Sequence, residues 1–148
     1  MNIKFREMKI TDYENVIDFW KTIKELHIDD SDTFENMQTY LNRNPGLSHV
    51  ALDGEKIVGT IKGAQDGRRG YLSHIASSPH HRNLGIAQKL VSIAIDELKK
   101  QKIFKVKLYV LDENPKALTY WKHLGWEEEI YDYRTFNLNL NHIKKESN

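Results

Sequence analysis

One segment constrains the fold more than any other: Ser77-Ser78-Pro79-His80-His81-Arg82-Asn83-Leu84-Gly85-Ile86-Ala87-Gln88-Lys89-Leu90. A β-type run ends at Ser77, a short basic turn follows, and an amphipathic helix opens near Gly85. A helix start has unpaired backbone N–H groups and a partial positive charge, so it can hold a phosphate. The small residues Gly85 and Ala87 let a ligand approach that backbone closely. Arg82 adds a cation with a forked donor set.

The rest of the composition narrows the field. A chain of 148 residues suits one domain with a real core. Its formal net charge of +1 gives no bulk attraction to nucleic acid or to an anionic membrane. Cysteine is absent, which excludes disulfides, zinc–thiolate sites and a thiol nucleophile, and fits a reducing compartment. Residues 1–6 hold no apolar signal core, and no stretch nears the ~18–20 apolar residues of a membrane span. A cytoplasmic protein is the expectation.

Hydrophobic periodicity orders the elements. Ile3, Phe5 and Met8 suggest a first strand. Thr11 and Glu14 read as a capping box for a helix whose stripe is Tyr13, Val16, Ile17, Trp20, Ile23 and Leu26. Asp32 and Glu35 read as a second capping box, opening a helix through Met37, Tyr40 and Leu41 to Asn44-Pro45-Gly46. Strands are expected at 47–52, at 56–64 after the turn Asp53-Gly54, and at 71–77. The helix after Gly85 places Ile86, Leu90, Ile93, Ala94 and Leu98 on one face. A strand at 106–111 and a helix at 115–124 follow, the helix with Pro115 at its first position and Gly125 as its stop. Residues 126–140 are expected to hold one or two more strands, and 143–148 form a polar tail.

Two segments fall into a known pattern. Arg82-Asn83-Leu84-Gly85-Ile86-Ala87 fits Arg/Gln-x-x-Gly-x-Gly/Ala. Asn114, Ala117, Gly125 and Trp126 stand in register with Asn-x-x-Ala-x-x-x-Tyr-x-x-x-Gly-Phe. With both, the chain resembles the GCN5-related N-acetyltransferase (GNAT) family over roughly residues 2–140. The resemblance implies an α/β fold in a single domain over residues 1–142. Its mixed, mostly antiparallel sheet has six to seven strands, helices on both faces, and two splayed parallel strands forming the cofactor cleft. It implies acetyl-CoA as co-substrate. Ile75, Ala76 and Ser77 would face pantetheine and the thioester carbonyl, and Arg82, Asn83, Leu84, Gly85, Ile86 and Ala87 would hold the pyrophosphate. Asn114 would reach the pantetheine arm, although an Asn before Pro115 also suits a helix cap.

The chain departs from the family where chemistry is concerned. The tyrosine that often protonates the leaving thiolate is replaced by Trp121. Tyr120 sits one residue early, turned by about 100° on a helix. Trp121 packs either against the coenzyme or acyl channel or simply against the sheet. Family members carry a glutamate base at the positions of Ser73 or Tyr109, and neither is acidic here. His74 is the nearest titratable neighbour with a suitable ordinary pKa, and His74 and Tyr109 are the candidate catalytic residues. Strict alternation would put His74 and Ser73 on opposite faces, unless a bulge intervenes. His80 and His81, adjacent on a turn, point apart and are not read as a metal site. Asp29, Asp30 and Asp32 either line an acceptor wall suited to a cationic amine or cap helices.

The function read from these features is transfer of an acetyl group from acetyl-CoA to a primary amine by direct attack. The acceptor would be an amine-bearing small molecule or peptide, with no nucleic-acid or membrane partner, and the family's frequent dimers add a homodimer. The alternative is a coenzyme A-binding sensor or interaction module with weak or no catalysis. A dinucleotide-binding reading is weaker, because Gly-x-Gly-x-x-Gly is missing.

Overall fold

The strand Lys56–Gln65 is apolar or small along its centre, and residues 57–63 are buried throughout, so it must be covered on both faces. The rest of the fold is built around it. The computed structural model describes residues 2–110, 115–129 and 134–140. These belong to two units, Met1–Tyr109 and Val110–Asn148.

In the first unit the order is β1 (Ile3–Glu7), α1 (Tyr13–Lys21), α2 (Phe34–Arg43), β2 (His49–Asp53), β3 (Lys56–Gln65), β4 (Gly70–Ser77), α3 (Ile86–Lys100) and β5 (Val106–Leu108). The five strands form one sheet in the order β1-β2-β3-β4-β5. The first three pairings are antiparallel, and β4 pairs with β5 in parallel. The mixed sheet is therefore mostly antiparallel, as expected.

Neighbouring residues of β3 show where the helices lie. Thr60 accepts a hydrogen bond from Trp20 of α1, whereas a Cβ on Gly59 would lie 2.6 Å from Cγ2 of Ile86 in α3. Successive strand residues face opposite ways, so α1 and α3 cover opposite faces. Gly59 is required here because α3 comes too close for any side chain. The α1 face buries Val16, Phe19, Trp20, Ile23, Met37, Val50 and Ile57 together. A bidentate pair from Arg6 to Asp12, both contacts at 2.8 Å, ties β1 to the start of α1.

Three local expectations are corrected. Thr11 does not cap α1. Asp12 accepts from the backbone N–H of Lys9 instead, within a 3-10 turn that precedes the helix. The stripe through Ile23 and Leu26 does not extend α1, which ends at Lys21. The Thr22 hydroxyl bonds the Phe19 carbonyl at 2.6 Å, and the Ile23 and Leu26 N–H groups bond carbonyls three residues back, so the stripe continues through turns. At α2 the cap is Thr33, accepting from Asn36 N–H, while Asp32 caps the preceding 3-10 turn at the backbone of Asp29.

The expected six to seven strands are corrected to five among the described residues. Residues 126–129 and 134–139 form no strand, and 130–133 lie outside the described residues. Phe136, Leu138 and Leu140 alternate as a strand would, yet all are strongly exposed. Alternation only proposes a strand; a ladder partner for its N–H and C=O groups makes one. In the second unit α4 (Pro115–His123) ends as expected at Gly125, where φ is +95°. Trp126 N–H bonds the Trp121 carbonyl and Gly125 N–H bonds that of Lys122, at 3.1 and 3.0 Å, a Schellman closure.

The parallel strands diverge. Pairing runs from Gly70 opposite Val106 to Leu72 opposite Leu108 and stops there, while β4 continues to Ser77. From Ser73 onward, the edge of β4 turned away from β3 has no strand partner among the described residues.

The buried Trp20–Thr60 contact leads to a stability prediction. Thr60→Val keeps the shape but leaves the indole N–H without an acceptor. It should cost about 1–3 kcal/mol, read as a lower denaturant midpoint at unchanged slope. An unchanged midpoint would show that the contact contributes nothing.

Candidate active site

The register between β3 and β4 slips where the strands open. Thr60 faces Ala76, but Lys62 faces Ser73, so β4 holds one residue more than β3 over this span. The slip includes His74, whose φ of +49° is a left-handed conformation that costs a β-substituted residue about 1–2 kcal/mol. A buried chain of hydrogen bonds holds it there. Trp20 Nε1 donates to Thr60 Oγ1 at 2.8 Å, and Thr60 Oγ1 donates to the His74 carbonyl at 2.9 Å. That carbonyl is thus satisfied by a side chain at the bulge.

The bulge overturns the expected alternation. The His74 ring packs on Trp20 with centroids 4.4 Å apart, on the α1 face. Lys62 lies on the same face, with Nζ 4.1 Å from the centre of the Tyr40 ring, and Ser73 is its cross-strand neighbour. Ser73 Oγ lies 3.2 Å from His74 Nδ1, so the two side chains meet. Tyr40 is near enough to Ser73 for the serine side chain to lower its pKa, against the larger effect of burial. On the far side of the ring, Asp32 Oδ1 is 3.6 Å from His74 Nε2 and 3.9 Å from Lys62 Nζ.

Burial sets the electrostatics of this cluster. His74 is pushed well below its ordinary 6.5, first by burial and then by the Lys62 charge; Asp32 and Asp29 act in the opposite direction. Lys62 is lowered by burial and partly restored by Asp32 and Asp29. Burial pushes Tyr40 up to about 12. At neutral pH the imidazole is therefore neutral and able to accept a proton.

The turn after β4 is anchored on the same side of the chain's path. Ser78 N–H bonds the Val58 carbonyl at 2.8 Å, and Ser78 Oγ accepts from His80 N–H at 3.3 Å. His81 is buried and its Nε2 lies 3.0 Å from Asp53 Oδ2, which ties the turn to the end of β2. Arg82 is extended and exposed, and Asn83 and Gly85 have φ of +68° and +72°. Gly85 is the N-cap of α3, and no side chain caps that helix. An added Cβ on Gly85 would meet nothing within 4 Å, so the space in front of the uncapped N–H groups is open. Ile86 is buried against Gly59, so only its backbone faces the turn, while the Leu84 side chain is half exposed. A pocket of about 500 Å³ lies on the α1 face beside Phe19, Ile57, Ser78 and Pro79; it shares no lining residue with the His74 cluster.

The other expected site residues are distributed unevenly. Ala76 and Ser77 pair with Thr60 and Gly59 on β3, so the opposite edge of Ile75, Ala76 and Ser77 lies beyond the fork with β5. Tyr109 follows β5 and is 83% exposed, outside the contacts that join His74, Ser73 and Asp32. Asn114 lies outside the described residues. Within its own unit Trp121 packs edge-on against Trp126 and Tyr120, at 5.5 and 5.1 Å between ring centres. Sequence reading missed Lys62, Tyr40 and Asp53. None sits in a motif, and each reaches its partner only through strand register or helix packing. Asp32, an acceptor-wall or capping residue by its sequence position, uses one carboxylate oxygen for the cap and the other for the cluster.

Known proteins resemble this chain in sequence and in fold. The model of the acetyltransferase (GNAT) family matches residues 12–126. An acetyltransferase of Sodalis glossinidius is 29% identical over 125 residues, covering 84% of this chain and 87% of that protein. A GNAT-family acetyltransferase of Staphylococcus aureus superposes with a TM-score of 0.73 at 26% identity, over 84% of this chain and 82% of that one. The PaiA N-acetyltransferase of Thermoplasma acidophilum, solved in complex with coenzyme A, shares the fold with a TM-score of 0.75 at 19% identity, over 89% and 94% of the two chains.

The environment of His74 gives a pH prediction with a definite sign. An unfolded chain protonates this histidine near 6.5, whereas the folded site resists it. As the pH falls below about 6.5 the unfolded state takes up the proton first, so stability declines. His49, also lowered by burial, acts in the same direction. An NMR titration should find the His74 ring neutral at pH 6; a midpoint at or above 6.5 would contradict the burial and the Lys62 charge.

Proposed function

The chain belongs to the acetyltransferase (GNAT) family, and on that footing we propose that it transfers the acetyl group of acetyl-CoA directly to a primary amine. The observation that carries this reading is the uncapped start of α3, opened by Gly85 in the left-handed region and joined to the edge of β4 that has no strand partner among the described residues. A diphosphate would sit on the N–H groups at 85–87 beside Arg82 and Asn83, with the Leu84 backbone completing the turn. The pantetheine arm would follow the edge of Ile75, Ala76 and Ser77 past Leu72. Backbone N–H groups there would polarise the thioester carbonyl as negative charge develops on it. Asn114 and Trp121 are assigned to the same coenzyme. The reading takes residues 1–142 as one acetyltransferase domain followed by a polar tail, acting in the cytoplasm and as a homodimer.

His74 is the base in this reading, with Tyr109 at the margin of the site. The carboxylates of Asp29 and Asp32 favour a cationic acceptor, such as a polyamine, an aminoglycoside or the amino group of a peptide. One observation favours a second reading: Trp121 stands where the family's thiolate-protonating tyrosine belongs, and an indole donates no proton near neutral pH. A coenzyme A-binding sensor would bind acetyl-CoA without turning it over.

Calorimetry against acetyl-CoA, NAD and ATP tests the binding, and release of free coenzyme A over an amine panel tests turnover. Acetyl-CoA should bind in preference to the other two. Gly85→Val should weaken it at least tenfold and more than Arg82→Ala, because the valine strains a φ of +72° and fills the approach to several N–H groups. A folded Gly85→Val variant with parental affinity would remove the turn from the site. Equal affinity for NAD would remove the coenzyme assignment.

A further inference from the structure

We infer that Ser73, His74 and Asp32 form a proton relay at the fork of β4 and β5, in which the Ser73 hydroxyl takes the acceptor amine's proton and passes its own to His74. The inference rests on the acetyl-transfer reading and gives each of the three side chains a role in it. Ser73 is the first residue of β4 beyond the last paired position, Leu72 opposite Leu108, so its side chain stands at the mouth of the fork. His74 does not meet a substrate directly in this arrangement. Its Nε2 is buried without a hydrogen-bond partner, and its Nδ1 faces Ser73 Oγ at 3.2 Å.

The tautomer follows from the neighbours. A carboxylate can only accept, so the ring nitrogen turned to Asp32 is the one that carries the proton. Nδ1 is then left with a lone pair, and the Ser73 hydroxyl donates to it. A lone pair of Ser73 Oγ not used by His74 is the one open to an amine N–H. As the amine nitrogen forms its bond to the thioester carbon, its proton moves to Ser73 Oγ and the Oγ proton moves to His74 Nδ1. The C–S bond breaks with its electron pair on sulfur. The imidazolium then returns its proton through the same hydroxyl to the thiolate, so that one proton has passed from nitrogen to sulfur and the relay is restored.

Asp32 and Lys62 act through His74 as positioning residues. Asp32 Oδ2 is held by the Asp29 N–H at 3.0 Å, and Tyr13 OH donates to the Asp32 carbonyl at 2.6 Å, so the carboxylate does not swing away. Oδ1 is thereby left facing the ring at 3.6 Å, beyond a hydrogen bond at rest but ready to stabilise the imidazolium. The charged and titratable groups around the ring are Asp32 and Asp29 on the 3-10 turn, Lys62 on β3 and Tyr40 on α2; Trp20 of α1 covers its face. Lys62 opposes the imidazolium and Asp32 favours it, so the proton is held only transiently.

Two measurements test the relay, and the first needs no substrate. Ring ¹⁵N shifts of the free protein at pH 7 should show His74 protonated at Nε2 and not at Nδ1, with the Nδ1 shift moved in Ser73→Ala. Asp32→Asn should lower the midpoint of the His74 titration and Lys62→Met should raise it. A ring protonated at Nδ1 overturns the relay whatever the enzyme does. The second is turnover on the best acceptor from a panel of spermidine, kanamycin and a short peptide with a free amino terminus. Ser73→Ala should lose at least tenfold in kcat with acetyl-CoA affinity unchanged, and Ser73→Thr should recover most of it. Parental kcat in Ser73→Ala overturns the relay while leaving the transferase reading intact. A parent that binds no acetyl-CoA overturns the transferase reading itself, and the relay with it.

Discussion

Everything about the site depends on the hydrogen-bond chain from Trp20 through Thr60 to the His74 carbonyl. A strand in the middle of a sheet does not tolerate a left-handed residue without help. Its carbonyl turns out of the ladder, and an unmet carbonyl in a dry interior costs about 1–3 kcal/mol. Thr60 and Trp20, both fully buried, meet that need. The bulge survives because a helix on one face supplies the group that the neighbouring strand has lost. Packing and polarity are thus joined in one contact: the same indole that fills the core on the α1 face also fixes the backbone at the site.

The consequences spread from that point in both directions along β4. Toward the start of the strand, pairing with β5 is regular from Gly70 to Leu72. Beyond the bulge the strand pairs with β3, and its other edge has no strand partner among the described residues up to the turn that begins α3. The turn is in turn clamped by His81 to Asp53 and by Ser78 to Val58. An open strand edge running into an uncapped helix start is a continuous line of backbone donors and acceptors. Such a line suits a long ligand that carries amides at one end and phosphates at the other. Few side chains are needed for it, which is why the segment 82–87 is recognisable from a glycine, an alanine and an arginine.

The polar cluster on the α1 face has the opposite character. Its members come from α1, the turn before α2, α2 itself, β3 and β4, and their separations in sequence are large. Burial makes each charge costly, so each constrains the others. Lys62 needs Asp32, Asp32 is satisfied in part by the backbone of Asp29, and His74 remains neutral between them. Such a set of mutual constraints holds a neutral imidazole in one orientation more securely than any single hydrogen bond would.

The chain's own pattern determined the helix at 86–100, the strands on either side of Asp53-Gly54, the turn that opens that helix at Gly85 and the stop at Gly125. All of these rest on local rules: a period of 3.6 or 2, a turn residue with positive φ, a cap. The strands expected within 126–140 failed where they are described, because alternation cannot say whether a neighbouring edge exists to pair with. His74 was legible as a candidate, but its face was not. One extra residue in β4 reverses the alternation, and that register is set by Thr60 and Trp20, 14 and 54 residues earlier. Which carboxylate, ammonium and hydroxyl would surround the ring was decided only when helix packing brought Asp32, Lys62 and Tyr40 to it. Tertiary contact alone establishes the dielectric and the neighbours that turn an ordinary histidine into one that stays neutral.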